Sequence, residues 1–201
     1  MATLHDVAQG DDPTAGQRLT YLLVDGENID ATLGMSVLGR RPAPGERPRW
    51  DRVRDFAAEA WGQPVRALFF LNATSGSMPM SFVQALLAMD YRPIPLAGGP
   101  GEKVVDIGIQ RTLDALVDRP GDVMLASHDG DFTSHLRSVL EGEGRRVGLL
   151  GFREFVSSTF TDLVGRGLEV FDLEDHVNAF TEVLPRVRVI SLADFDPERY
   201  L

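Results

Sequence analysis

Two aspartates separated by one glycine, Asp129 and Asp131, follow a short apolar run over 122–126. A third aspartate, Asp25, follows an earlier apolar run over 19–24. Both runs are typical of buried strands, and open parallel sheets bind ligands at the carboxyl ends of their strands. If these two strands are neighbours, the three carboxylates lie together, although about a hundred residues separate them in the chain.

A fourth carboxylate, Asp106, lies near the start of a segment over 102–118 with helical spacing of its apolar residues. At about 100° per residue, Asp106 lies at the edge of the apolar stripe, whereas Asp114 points away from it. A carboxylate near a packing face needs a partner if it is buried. The helix N-terminus, a cation or Lys103 could each supply that partner.

Converging carboxylates suit the hard divalent cations Mg²⁺ and Mn²⁺, which keep waters that can attack phosphorus. Such a cation would also let an acidic pocket serve an anionic substrate. Each residue alone has a simpler explanation. Asp25-Gly26 and Asn28 suit turns, Asp131 suits a helix N-cap, and Asp106 and Lys103 suit a helix start. The combination at matched strand ends favours the cation site.

Strands that alternate with helices position these residues, as in a parallel sheet covered on both faces. The patterns predict strands over 19–24, 65–71, 122–126, 145–152 and 168–173, with a short extended piece over 91–96. They predict helices over 50–62, 81–90, 102–118, 132–144 and 153–165. A loose tail over 1–18 precedes this domain, which spans 19–175. An extension over 176–201, with a further candidate strand over 186–192, is expected to pack on the domain or on a partner.

The composition is that of one soluble α/β domain, with 201 residues, 43% hydrophobic and 25% charged. The absence of cysteine excludes disulfides and thiolate zinc sites, and fits a cytoplasmic protein. The four histidines show no zinc-ligand spacing. No apolar run approaches 18 residues, so no membrane span is expected, and the N-terminus does not have the pattern of a signal peptide.

The net charge of −10 argues, taken alone, against a nucleic-acid partner, because phosphate binding requires Lys and Arg. The charge is unevenly distributed, however, since residues 40–54 contain six arginines and only two acids. This segment is either a solvated loop and helix start or a patch that contacts phosphates. In the second interpretation Arg40, Arg41 and Arg49 would contact the phosphates of the substrate.

Four stretches together resemble the NYN domain family, in its LabA-like branch, which belongs to the PIN-like nuclease superfamily. They are "YLLVDGENID", "EKVVDIGIQRTLDAL", "VMLASHDGDFTSHLRSVLEGEGRRVGLLGF" and "SSTFTDLVGRGLEVFDL". The resemblance covers about residues 19–175. It implies a three-layer PIN-like α/β fold with a mostly parallel central sheet flanked by helices.

The same resemblance implies a metal-dependent endoribonuclease that cuts RNA, expected to be single-stranded, and leaves a 3′-hydroxyl and a 5′-phosphate. Mg²⁺ or Mn²⁺ would be held by the four carboxylates, which would also be the catalytic residues: Asp25, Asp106, Asp129 and Asp131. Three further residues would assist substrate binding: Asn28, Lys103 and Ser127. A homodimer or a protein partner stays open.

Two residues depart from the family pattern. Val104 stands where the family often has glycine after the helix lysine, and His128 stands where it often has glycine before the paired aspartates. A histidine beside the site could restrict substrate approach or contact a phosphate. All the acids are present, so the chain does not have the sequence of an inactive copy.

Other enzyme classes lack their motifs in this sequence. There is no Gly-Lys-Ser/Thr phosphate loop, no G-x-G-x-x-G after the first strand and no G-x-S-x-G elbow. An Asp-x-Asp phosphatase motif after the first strand is absent too, since that position reads Asp25-Gly-Glu-Asn. The remaining rival is a non-catalytic RNA-binding or regulatory module, which the acidic net charge favours and the complete set of acids opposes.

Overall fold

Six parallel strands form the centre of the domain, in the order β3-β2-β1-β4-β5-β6. The structure is a computed structural model, and it describes residues 18–187, 192–193, 195–199 and 201. The strands are β1 (Thr20–Asp25), β2 (Val65–Asn72), β3 (Tyr91–Leu96), β4 (Asp122–Ala126), β5 (Val147–Gly151) and β6 (Glu169–Asp172). The predicted α/β fold with a central parallel sheet is thereby confirmed.

The strand order reverses between β1 and β4, since the chain adds β2 and β3 on one side and β5 and β6 on the other. Thr20 to Val24 pair with Asp122 to Ala126 in parallel register, so both strands end at the same edge. Ligands of open parallel sheets bind at such a reversal, because the loops there diverge and leave a crevice. Asp25 and the loop that follows Ala126 therefore share one edge of the sheet.

Helices cover both faces of the sheet and divide the core into two layers. The helices are α1 (Gly26–Thr32), α2 (Trp50–Trp61), α3 (Met80–Ala88), α4 (Val104–Val117), α5 (Thr133–Leu140) and α6 (Thr161–Val164). On one face α1, α2 and α3 pack against alternate strand residues such as Leu22 and Met124. On the other, α4 and α5 pack against Leu23 and Leu125. The alternation of side chains along each strand supplies both layers.

Helix α4 buries the apolar stripe that its spacing predicts, with Val105, Ile109, Leu113 and Leu116 all in the core. Asp106 lies beside this stripe in the first turn, where the N-terminal end of the helix favours a negative charge. Its side chain is 19% exposed. Packing of α4 against the sheet thus fixes where this carboxylate points.

Two segments differ from the predicted elements. Residues 153–165, expected to be one helix, form two 3₁₀ turns (Arg153–Phe155 and Ser158–Phe160) and the short helix α6. The Ser157 hydroxyl accepts the N–H of Thr159, a local bond that competes with helix continuation. Conversely, Asp25-Gly26 suggests a turn, but Asp25 is the N-cap of helix α1, which continues into a π-helical turn over Leu33–Leu38.

The segment after β6 packs back on the face that carries α2. Phe180 and Leu184 are buried in that layer, and the Arg49 N–H donates to the carbonyl of Ala179. Most of the candidate strand over 186–192 and the tail over 1–17 lie outside the described residues. No helix among the described residues is long and apolar enough to cross a membrane.

Candidate metal centre

Three aspartate side chains converge at the edge of the sheet where the strand order reverses. Asp106, Asp129 and Asp131 each offer a carboxylate oxygen, and these oxygens lie within 4.8 Å of one another. Asp106 and Asp129 are half-buried, whereas Asp131 is exposed. Mg²⁺ and Mn²⁺ prefer oxygen ligands, and three carboxylate oxygens at this separation could hold one such ion.

The loop after β4 gives the two paired aspartates different local roles. The Oδ1 atom of Asp129 accepts the N–H of Asp131 at 2.9 Å and caps a 3₁₀ turn over Gly130–Phe132. Helix α5 begins only at Thr133, and no side chain caps it, so Asp131 is not its N-cap. The Asp131 carboxylate therefore points into the cluster instead of bonding to its own helix.

Asp25 lies behind this cluster, and only 2% of the residue is exposed. Its Oδ1 accepts the N–H of Asn28 at 3.1 Å, and its Oδ2 accepts a bond from the Ser127 hydroxyl at 3.2 Å. Burial raises its pKa from 3.8 to about 6, and the nearby Asp106 carboxylate adds to the rise. The folded chain thus holds a carboxyl that gains a proton easily, which a bound cation would counteract.

Replacing Asp25 by Asn is expected to stabilise the metal-free protein at pH 8, by roughly 2–3 kcal/mol for a two-unit pKa shift. A raised folded pKa means that stability falls as pH rises from about 4 through about 6. The neutral amide removes that loss. Thermal unfolding in EDTA at pH 8 and pH 4 measures the change in stability, with Asp118→Asn, the same substitution at an exposed aspartate just after α4, as the control. An Asp25→Asn protein equally destabilised at both pH values would contradict the expected effect.

Ser127 and Asn28 tie the end of β1 to the loop after β4. The Ser127 hydroxyl, besides donating to Asp25, accepts the N–H of Asp129 at 3.2 Å. The Asn28 side-chain oxygen accepts the N–H of His128 at 2.8 Å. Both predicted substrate-binding residues therefore hold the two strand ends in place, and the carbonyl oxygen of Asn28 is already engaged.

His128 faces the interior instead of the cluster. Its Nε2 accepts the N–H of Phe152 at 2.7 Å, so the ring hydrogen is on Nδ1, which lies 3.1 Å from the Asn28 side-chain oxygen. Burial lowers its pKa to about 4, which keeps the ring neutral at pH 7. With 6% of the residue exposed, His128 joins β5 to the site and does not face a substrate phosphate.

Lys103 places its ammonium group over the aspartates. The Nζ atom lies 3.2 Å from Asp106 and 3.5 Å from Asp131, and the side chain is 66% exposed. The hydrogen bond with Asp106 raises the pKa of Lys103, so the group is charged at pH 7. The three aspartates thus already attract the ammonium group of Lys103. Because this side chain is exposed, it can move away when a metal ion binds.

One cavity opens at the cluster, and a second one shares the lining residue Glu27 with it. The first, of about 360 Å³, is lined by Asp106 and Lys103 together with Glu27 and Asn72. The second, of about 610 Å³, is lined by Glu27, Arg41 and several aromatic residues. The sequence reasoning missed both Glu27 and Asn72. Asn72 ends β2, the strand beside β1. Like Asp25, it is a polar residue at the carboxyl end of a parallel strand, which is the position where such sheets bind ligands.

The arginines of 40–54 are largely paired with acids. Salt bridges join Arg40 to Glu46, Arg49 to Asp51 and Arg47 to Asp30. Arg41 lines both the 610 Å³ cavity and a neighbouring cavity of about 650 Å³. The structure therefore leaves less free positive charge in this segment than the sequence suggests. Arg40 also lines the 650 Å³ cavity and Arg47 the 610 Å³ cavity.

Comparison with known protein families gives a match to the NYN domain over residues 19–167. The chain belongs to the NYN domain family. The match spans β1 to α6, and so includes all four aspartates. NYN domains have a nuclease-type fold, and members of the family are generally RNA-binding nucleases that use divalent metals.

Solved structures support the fold of this NYN protein. It is similar to a crystal structure of a protein of unknown function, VPA0982 from Vibrio parahaemolyticus RIMD 2210633. The two share 18% sequence identity with a TM-score of 0.61, over 84% of this chain and 98% of that chain. No curated protein sequence matches the chain. The similar structure therefore supports the fold only, and the chemistry of the site must follow from the residues of this NYN domain.

Proposed function

We propose that this NYN protein is an endoribonuclease that hydrolyses RNA phosphodiester bonds with Mg²⁺ or Mn²⁺ as cofactor. The observation that carries the proposal is the convergence of Asp106, Asp129 and Asp131 at the strand-order reversal. Three carboxylate oxygens within 4.8 Å of one another can hold a divalent cation, which supports a nuclease over a domain that only binds RNA.

The three clustered aspartates would hold the cation, and Asp25 would support it from behind. When bound, the cation supplies an activated water and stabilises the charge that develops on the phosphate. Ser127 and Asn28 keep the two strand ends in register, so the carboxylates are preorganised. The expected products are a 3′-hydroxyl and a 5′-phosphate.

Positive side chains at the rim would position the RNA. Lys103 lies directly over the aspartates and would contact the phosphate that is cut. Arg40, Arg41 and Arg49 are the predicted backbone contacts. Arg40 and Arg49 each hold an acid through two bonds, to Glu46 and Asp51, so RNA would have to displace these acids. Arg41, by contrast, takes part in no salt bridge among the described residues.

The first experiment is cleavage of a labelled single-stranded RNA pool with Mn²⁺, with Mg²⁺ and with EDTA. The proposal requires cutting with at least one metal and none with EDTA. A folded protein that cuts no RNA under any of these conditions would overturn the enzyme and support the non-catalytic binding module. Equal cutting in EDTA would instead overturn the metal requirement.

Replacing Lys103 by Met is expected to separate metal binding from catalysis. Without the ammonium group, Mn²⁺ should bind more tightly, since no internal cation competes for Asp106 and Asp131. Cleavage at saturating Mn²⁺ should nevertheless fall by about tenfold or more, because a charge aimed at the phosphate is lost. Calorimetric Mn²⁺ titration and single-turnover cleavage measure the two effects. Unchanged cleavage would exclude Lys103 from the reaction.

A further inference from the structure

A second basic surface lies at the end of the sheet opposite the aspartates. Four arginines line a groove of about 300 Å³ between helix α4 and the first residues of strands β2 and β3: Arg66, Arg92, Arg111 and Arg119. Arg92, Arg111 and Arg119 are exposed, and Arg66 is half-buried. None of the described residues that line this groove is acidic.

The fold brings these residues together from three elements. Arg66 pairs in register with Tyr21, and Arg92 pairs with Leu68, two residues further along β2. Side chains two residues apart on a strand share a face, so Arg66 and Leu68 point to the α4 side. Arg111 lies on α4, and Arg119 follows the end of that helix in a turn in which its N–H donates to the Leu116 carbonyl. The groove lies between these two sets.

The exposed arginines of this groove differ from those of residues 40–54, most of which are paired with acids. Within the described part of the chain, neither Arg92 nor Arg111 nor Arg119 takes part in a salt bridge. Asp114, three residues after Arg111, faces α5 instead, with its carboxylate 2.6 Å from His135 Nδ1. A protein with a net charge of −10 has many acids, yet this groove lacks one among its described lining.

We propose that this groove binds backbone phosphates of RNA outside the metal centre. The identity of the ligand rests on the proposed function. Guanidinium groups match phosphate oxygens in a two-bond geometry, and the exposed Arg92, Arg111 and Arg119 can each present one to an anion in the groove. The four arginines come from β2, from β3 and from the C-terminal half of α4 and the turn after it, so they line the groove from more than one side. An RNA strand offers a phosphate at every nucleotide and can contact several of these arginines at once, whereas a single small anion contacts fewer.

The test is a binding titration of fluorescein-labelled single-stranded RNA in EDTA, followed by anisotropy at several NaCl concentrations. Arg111→Glu and Arg119→Glu are each compared with Arg166→Glu, which reverses the same charge at an exposed arginine outside both sites. Each groove variant should bind RNA at least about tenfold more weakly. Each should also reduce the salt slope by about 0.7–1, the loss of one phosphate contact. Arg166→Glu should keep the wild-type slope. Thermal melts verify that all variants fold.

Equal affinities and slopes in the groove variants and Arg166→Glu would overturn the proposal. So would binding of inorganic phosphate that is lost in the groove variants while RNA binding is unchanged, because the groove would then serve a small phosphate. The nuclease is judged separately by the metal-dependent cleavage assay. If the protein cuts RNA but the groove variants bind RNA normally, the nuclease proposal stands and the groove proposal is wrong. If the groove variants bind RNA more weakly but the wild type cuts no RNA, the groove proposal stands and the nuclease proposal is wrong.

Discussion

Asp129→Asn is expected to abolish metal-dependent RNA cleavage while the protein stays folded. The substitution removes one of the three clustered carboxylates, and an amide oxygen binds Mg²⁺ or Mn²⁺ far more weakly than a carboxylate. Loss of a residue that merely supports a metal ligand typically costs 10–100-fold, so loss of a ligand should cost more than about 100-fold. Single-turnover cleavage of RNA at saturating Mn²⁺ measures the change.

The same substitution leaves the local structure intact. Asp129 Oδ1 accepts the N–H of Asp131, a bond that the Asn side-chain oxygen can also accept. Thermal unfolding in EDTA should therefore show a Tm close to that of the wild type. Asp114→Asn, the same change at an exposed position of α4 outside the cluster, is the control and should cut normally. Wild-type cleavage by Asp129→Asn would remove Asp129 from the site.

Position along the strands lets the sequence predict that the carboxylates of the candidate site lie close together. Asp25, Asp129 and Asp131 follow buried apolar runs, and a parallel sheet brings the ends of neighbouring strands to one edge. Asp106 was identified by its place beside the apolar stripe of α4. Strand direction and helical period suffice to place these residues, and the spacing of the apolar residues predicts both.

Side-chain direction was not predictable in the same way. Nothing in the residues around His128 shows that its ring turns inward to the Phe152 N–H, because that contact depends on where β5 ends. The pairing of Arg49 with Asp51 and Arg40 with Glu46 depends on loop geometry too. The arginines of the second groove come from three separate elements, and no single stretch of sequence contains their pattern.

The extension after the family match completes the core beneath the site. Arg186, whose side chain is 1% exposed, bonds to both carboxylate oxygens of the equally buried Asp172 and to Glu154 and Glu174. Its guanidinium lies 4.9 Å from the centre of the Phe152 ring, which in turn stacks on His128. A chain of contacts thus connects Arg186 through Phe152 and His128 to Asn28, which lies beside the candidate metal centre.

Arg186→Ala is therefore expected to destabilise the protein by about 3–5 kcal/mol, because it leaves buried carboxylates without their cation. Arg166→Ala, which removes an exposed arginine paired with Glu141, should change stability by less than about 0.5 kcal/mol. Urea unfolding at pH 7 measures both.

The pH dependence of unfolding shows whether the ion pair with Asp172 causes the destabilisation by Arg186→Ala. The Arg186 guanidinium holds the pKa of Asp172 below its usual range, so the stability that this pair supplies is present above pH 4 and is lost below it. The difference in the free energy of unfolding between Arg186→Ala and the wild type should accordingly become smaller as the pH falls below 4. A difference that is small at pH 7, or that does not change with pH, would show that the extension is not held by this ion cluster.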